Sequence, residues 1–173
     1  MFEKKTINQM KNLILSMCMV ALSTMGFGQL NFDQWETVEI VDEFGDPTGE
    51  SVKRIFANGT FSNSATANSD LIAKVVDYGD AITIDLYEYS SPPSASLCYD
   101  GCFGSISVKR ENGDVEKHDV YASDSGGLYI SESRDNLLNL FRNTNGETIK
   151  IVIYQSSFSK YGSSSYKFSV ITQ

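Results

Sequence analysis

The sequence predicts an all-β domain, a mostly antiparallel β-sandwich with one short α-helix near residues 133–142. Three observations carry that expectation. Short runs of β-branched and aromatic residues recur along the chain, several with apolar and polar side chains in alternation. Clusters of Gly, Asn, Asp, Ser and Pro divide these runs at close intervals. Only one stretch places apolar residues at helical spacing. Many short strands with turn signals suit a sandwich or a small barrel, and the sandwich is the architecture expected.

Met1–Gly28 reads as a secretory signal peptide. Lys4, Lys5 and Lys11 make a basic start, Leu13–Leu22 is an apolar run, and Gly26-Phe27-Gly28 has the small-x-small form a signal peptidase accepts. The apolar run is well short of the roughly 20 residues that cross a bilayer. Cys18 lies between Met17 and Met19, without the small residues that precede a lipid-modified cysteine. Residues 29–173 are then a single β-sandwich domain, exported to the periplasm, the cell surface or the medium, with no membrane insertion after cleavage.

The centre of that domain is Leu71–Tyr89. Asp77-Tyr78-Gly79-Asp80 breaks it as a hairpin turn, and Ile82, Ile84 and Leu86 alternate with Thr83, Asp85 and Tyr87. Before it, Trp35–Val41 and Ser51–Phe56 form a strand pair around the turn cluster Asp42–Gly49. Asn58-Gly59-Thr60 reads as a turn, and Phe61–Asp70 as a short edge strand or loop. After it, Ser90–Gly101 is a loop marked by Pro92-Pro93 and closed by two cysteines. Ser105–Arg110 and Val115–Tyr121 flank Asn112-Gly113, a two-residue hairpin signal with both positions at positive φ. Gly127–Ile130 is a further short strand. Ser133–Arg142 is the helix, capped by Ser131 or Ser133, with Leu137, Leu138 and Phe141 on its apolar face, and Asn145-Gly146 ends it. Thr148–Tyr154 and Ser165–Ile171 close the chain as strands.

The run from Trp35 through DEFGDPTG, GTFSNSATANS and the LYEY strand to SSSYKFSV resembles small secreted bacterial β-sandwich proteins of unknown function. The layout is also loosely similar to accessory periplasmic proteins of the type VI secretion and invasion-associated kind. The resemblance covers nearly all of the mature chain and carries no functional residue across.

Charge and cysteine count narrow the function. The net charge is −8, and the leader's three lysines against Glu3 leave the remainder more acidic still. Such a chain repels nucleic acid and anionic lipid, and Lys53-Arg54 and Lys109-Arg110 are only isolated basic pairs. Beyond the leader the cysteines are Cys98 and Cys102, placed to close a short disulfide loop in an oxidising compartment. Zinc would need two more ligands, and His118 is the one histidine. His118 lies in the polar stretch Glu116–Asp119 and is expected on the solvent face of its strand.

Three functional readings stand side by side. Tyr87, Tyr89 and Tyr99, with Asp85, would make an adaptable recognition surface for a protein or glycan partner, on the outer face of the central strand and the Ser90–Cys102 loop. This non-catalytic binding or accessory module is the favoured reading. The first alternative is a small carboxylate-dependent hydrolase, for which no acidic pair stands out and no G-x-S-x-G or phosphate loop is present. The second is a calcium-stabilised structural domain, with Asp42, Glu43 and Asp46 as hard oxygen ligands around a Gly/Pro turn. No other cofactor is expected.

Overall fold

A run such as Ile82-Thr83-Ile84-Asp85-Leu86 separates an apolar face from a wet one only when extended, and it lies in a strand. The computed structural model describes residues 30–124, 126–131, 136–143 and 145–173. The proposed leader and Ser133, expected near the helix start, lie outside them. The strands are β1 (Glu36–Val41), β2 (Pro47–Ser62), β3 (Ser69–Asp77), β4 (Ala81–Glu88), β5 (Cys102–Lys109), β6 (Val115–Ala122), β7 (Leu128–Ser131), β8 (Thr148–Tyr154) and β9 (Ser165–Ile171). The described helix α1 is short, Leu137–Phe141, and a 3-10 turn spans Gln155–Ser157.

All strand pairings are antiparallel, in the order β1-β2-β3-β4-β7-β6-β5-β8-β9. The sheet then closes on itself, because Gly59–Ser62 of β2 pair with Phe168–Ser165 of β9. The result is an eight-stranded barrel with β1 outside it, where a sandwich was expected. The physical reason is the length of β2. Its first half, Pro47–Arg54, is occupied by β1, and its second half leaves the same edge free for the last strand.

That closure explains why Asn58-Gly59-Thr60 is not a turn. These residues run through β2, and Gly59 sits where the backbone of β9 comes closest. A Cβ there would collide with the Lys167 carbonyl oxygen and lie 2.7 Å from Phe168 Cβ. The glycine marks a close approach of two strands, one of the two meanings of glycine inside a strand pattern. The Asn112-Gly113 connection is also longer than the expected two-residue turn. Lys109 pairs with Val115, Arg110 N–H donates to Asp114 O and Gly113 N–H to Arg110 O, and only Gly113 has positive φ (+93°). Asn112 Oδ1 accepts from Asp114 N–H at 3.0 Å, which holds the turn without a left-handed asparagine.

The barrel interior is filled by side chains. Ile55, Phe61, Val75, Ile84, Ile106, Leu128, Ile151 and Tyr166 are among those almost fully buried. Polar residues alternate outward, the inverse of a lipid-facing barrel, whose apolar band faces out. No helix among the described residues is long and apolar enough to cross a membrane. At one end α1 buries Leu137 and Phe141, and Trp35 Nε1–H donates to Ile171 O at 2.7 Å. At the other end Leu97 of the Ser90–Cys102 loop is fully buried, and Phe158 packs on Gly104, where a Cβ would sit 2.6 Å from its Cγ. Tyr166 O–H donates to Glu88 Oε1 at 2.9 Å at that end, and burial pushes the phenol well above its ordinary range.

His118 corrects an expectation. It is only 4% exposed and alternates inward with Val120 and Ala122, while Lys117, Asp119 and Tyr121 take the outward positions. Glu116 shares its side of the strand, with Oε2 3.4 Å from Nε2. The polar neighbours in sequence belong mostly to the other face of the pleat.

A candidate binding face on the barrel wall

Alternation within each strand decides which residues reach the outer wall, and register decides which of them meet. Inward Ile106 and Val108 leave Phe103 and Ser105 outward on β5. Inward Val120 and Ala122 leave Asp119 and Tyr121 outward on β6, and inward Leu128 and Ile130 leave Tyr129 and Ser131 outward on β7. Thr83 pairs with Tyr129, Tyr129 with Tyr121, and Tyr121 with Phe103. Three rings therefore stand side by side across β7, β6 and β5. Phe103 is 57% exposed, Tyr129 43% and Tyr121 36%. The Phe103 and Tyr121 centroids are 5.2 Å apart with planes tilted by 58°, within the range of favourable aromatic pairs.

One residue pair further along, Ser105 faces Asp119, and Ser131 lies beside them. Together with the rings, Asp119 and Ser131 line a groove of about 320 Å³, in which Asp119 is the one carboxylate among the described residues. Aromatic walls with a few polar groups are the composition of a small-molecule binding groove.

The cysteine pair supports this wall from the side. Cys98 and Cys102 are at disulfide distance, with Cα atoms 6.4 Å apart, and Cys102 is the first residue of β5. Gly101, at φ +70°, lies under Tyr121, and a Cβ there would overlap the Tyr121 hydroxyl. The closed loop thus gives Tyr121 a fixed surface to lie on. Tyr99, at the tip of the loop, is 95% exposed.

The other residues singled out from sequence distribute differently. Asp85 and Tyr87 do face outward on β4, but on the side toward β3. Lys74 stands opposite Asp85, with Nζ 3.0 Å from Oδ2. Burial pulls the Lys74 ammonium down, and the hydrogen bond and charge of Asp85 outweigh it, so Lys74 titrates above the ordinary lysine range. Burial raises the Tyr87 hydroxyl, which hydrogen-bonds within the same cluster. These groups satisfy one another. Tyr89 leaves the line altogether. With Ser90 it occupies a left-handed turn (φ +54° at each), and its ring meets Phe61 edge-on at 4.9 Å. An aromatic residue in that region is uncommon and is held there by its surroundings.

Asp42, Glu43 and Asp46 all lie in the exposed β1–β2 turn. Asp42 Oδ1 accepts from Phe44 N–H and Asp46 N–H, both at 2.9 Å, so its carboxylate organises the turn. No group of three or more His, Cys, Asp or Glu side chains among the described residues is arranged to hold a metal.

Of the residues singled out from the sequence, Tyr99 and the two cysteines lie in the loop that leads into β5, whereas Phe103, Tyr121, Tyr129 and Asp119 on this wall were not among them. A signal for the three rings was present, since each is aromatic at the outward position of an alternating strand. Their convergence was not readable, because β4, β7, β6 and β5 are neighbours only through the order of the sheet. Compared with known proteins, the chain matches no family profile, no curated protein and no solved structure.

Proposed function

We propose that this protein is an exported, non-catalytic binding module that takes a saccharide chain on the Tyr129–Tyr121–Phe103 row. The observation that carries this reading is the row itself, three exposed rings in register beside the Asp119 carboxylate and the Ser131 side chain. Sugar rings present apolar C–H faces that stack on aromatic π-systems, and peripheral hydroxyls that carboxylates and serines accept from or donate to. The basic, then apolar leader pattern supports export, as does a cysteine pair at disulfide distance.

The test is electrophoresis through native gels cast with neutral polysaccharides: xylan, mannan, mixed-linkage glucan and chitosan-free chitin oligomers. Retardation is expected in at least one gel, and the Phe103→Ala/Tyr121→Ala double variant should migrate as in a plain gel. Equal migration of wild type and variant in every gel would remove the proposal.

A further inference from the structure

The grouping of basic side chains on the barrel carries a second site, which goes beyond the saccharide row and does not rest on it. Lys109 of β5 stands directly opposite Lys150 of β8. Lys150 pairs with Ser169 on β9 while Val152 pairs with Lys167, so Lys167 is the diagonal neighbour of Lys150. On the other flank Ser107 pairs with Lys117, which makes Lys117 the diagonal neighbour of Lys109. All four lysines are exposed and alternate outward from buried residues. Among the described residues none of the four makes an ion pair.

Like charges directly opposite on a sheet destabilise it, so a chain of net charge −8 has gathered cations at some cost where it could have spread them. The outward positions between them are uncharged: Ser107, Val152, Ser169 and Thr60. Two grooves meet at Lys150. One, of about 460 Å³, runs between Lys150 and Lys167 past Asn58 and Thr60. The other, of about 400 Å³, runs past Lys109, Arg110 and Thr148 and has Glu111 on its wall.

We infer that this face of β6, β5, β8 and β9 binds an acidic polysaccharide, with the lysines on its carboxylates or sulfates and the Ser, Thr and Asn groups on its hydroxyls. The shape of the charge selects that class of polyanion. Glu111 and Asp114 stand at the β5–β6 turn and Asp119 on the next row, so the cationic strip is narrow and has acidic margins. A bilayer surface or a nucleic acid duplex is broader than the strip and would bring phosphates against those acids. A single linear chain lying in the groove between Lys150 and Lys167 meets lysines and neutral groups, since no carboxylate lines it among the described residues.

The experiment measures binding of the intact mature protein to alginate and polygalacturonate by titration calorimetry. Dextran, phosphatidylglycerol vesicles and an oligothymidylate serve as comparison probes. Alginate or polygalacturonate should bind, with affinity falling roughly ten-fold between 50 and 200 mM salt as counterions are released. The Lys150→Glu/Lys167→Glu variant should lose that binding at least ten-fold. Phe103→Ala/Tyr121→Ala should keep it, which separates this site from the saccharide row. Lys150→Gln, tested without ligand, should melt no lower than wild type, because it removes a repulsive pair. Absence of polyuronate binding, binding unchanged by charge reversal, or tighter binding to vesicles or oligothymidylate would each overturn the inference.

Discussion

Arg142 grips Asp77 across 65 residues of sequence with two parallel hydrogen bonds, 2.6 Å from Nη2 to Oδ1 and 3.0 Å from Nε to Oδ2. The same carboxylate accepts from Gly79 N–H at 2.9 Å and Gln173 Nε2–H at 2.7 Å, and Arg142 also donates to Gly79 O. One buried side chain thus ties the β3–β4 turn, the end of α1 and the C-terminal residue together.

Burial by itself would raise the Asp77 carboxyl, but Arg142 and the other donors outweigh it and hold it below its ordinary value of 3.8. A depressed carboxyl contributes stability that is complete above the unfolded value and is lost as pH falls through the folded one. Asp77→Asn should therefore lower stability by about 2 kcal/mol near pH 7, the loss expected for charge-assisted bonds. The gap between wild type and variant should narrow below about pH 4. Denaturant titrations at pH 7 and pH 3 check this, and a gap of equal size at both values would contradict it.

At the barrel seam, Gly59→Ala should lower stability by about 3 kcal/mol, because the clash is with β9 backbone and cannot be relieved by a rotamer change. Thermal unfolding reads the effect. Gly113→Ala has open space around it and costs only its left-handed backbone, so it should be the milder change. The reverse order would mean that β2 and β9 are not in contact at this point.

Reduction of Cys98–Cys102, or its replacement by two serines, should lower stability by about 2 kcal/mol, the chain-entropy value for a loop this short. It should also weaken any ligand held by Tyr121, since the closed loop carries the Gly101 surface beneath that ring. A melt indifferent to reductant would mean that the pair is not oxidised in the protein.

The rings of the proposed binding row should matter little to folding. Phe103→Ala and Tyr129→Ala remove half-exposed groups from the outer wall and should shift stability by no more than about 0.5 kcal/mol each, as surface substitutions do. Phe61→Ala, by contrast, empties a fully buried interior position and should cost about 3–5 kcal/mol. A large loss for the outer rings would make them structural members of the wall, and the binding proposal would lose its surface.

Strand identity was largely readable from the chain. Ile82, Ile84 and Leu86, or Tyr166, Phe168 and Val170, repeat every second residue and occupy inward positions as that period requires. Hairpin partners were readable where a short turn joins them, as in β3–β4 and β5–β6, because a short connection leaves antiparallel pairing as the local solution. Gly59 misled because the same residue type serves a turn and a close strand contact, and only the partner strand tells them apart.

What the sequence determined by itself is local: the period-two faces, the turn residues, the acidic balance and the placement of two cysteines four residues apart. What only the tertiary structure decided is non-local: the β2–β9 closure, the ring row and the meeting of Lys109, Lys117, Lys150 and Lys167. Side-chain direction follows from backbone period within one strand, which a sequence carries. The neighbours on a barrel wall follow from strand order and register, and those are set when distant strands compete for the same edges.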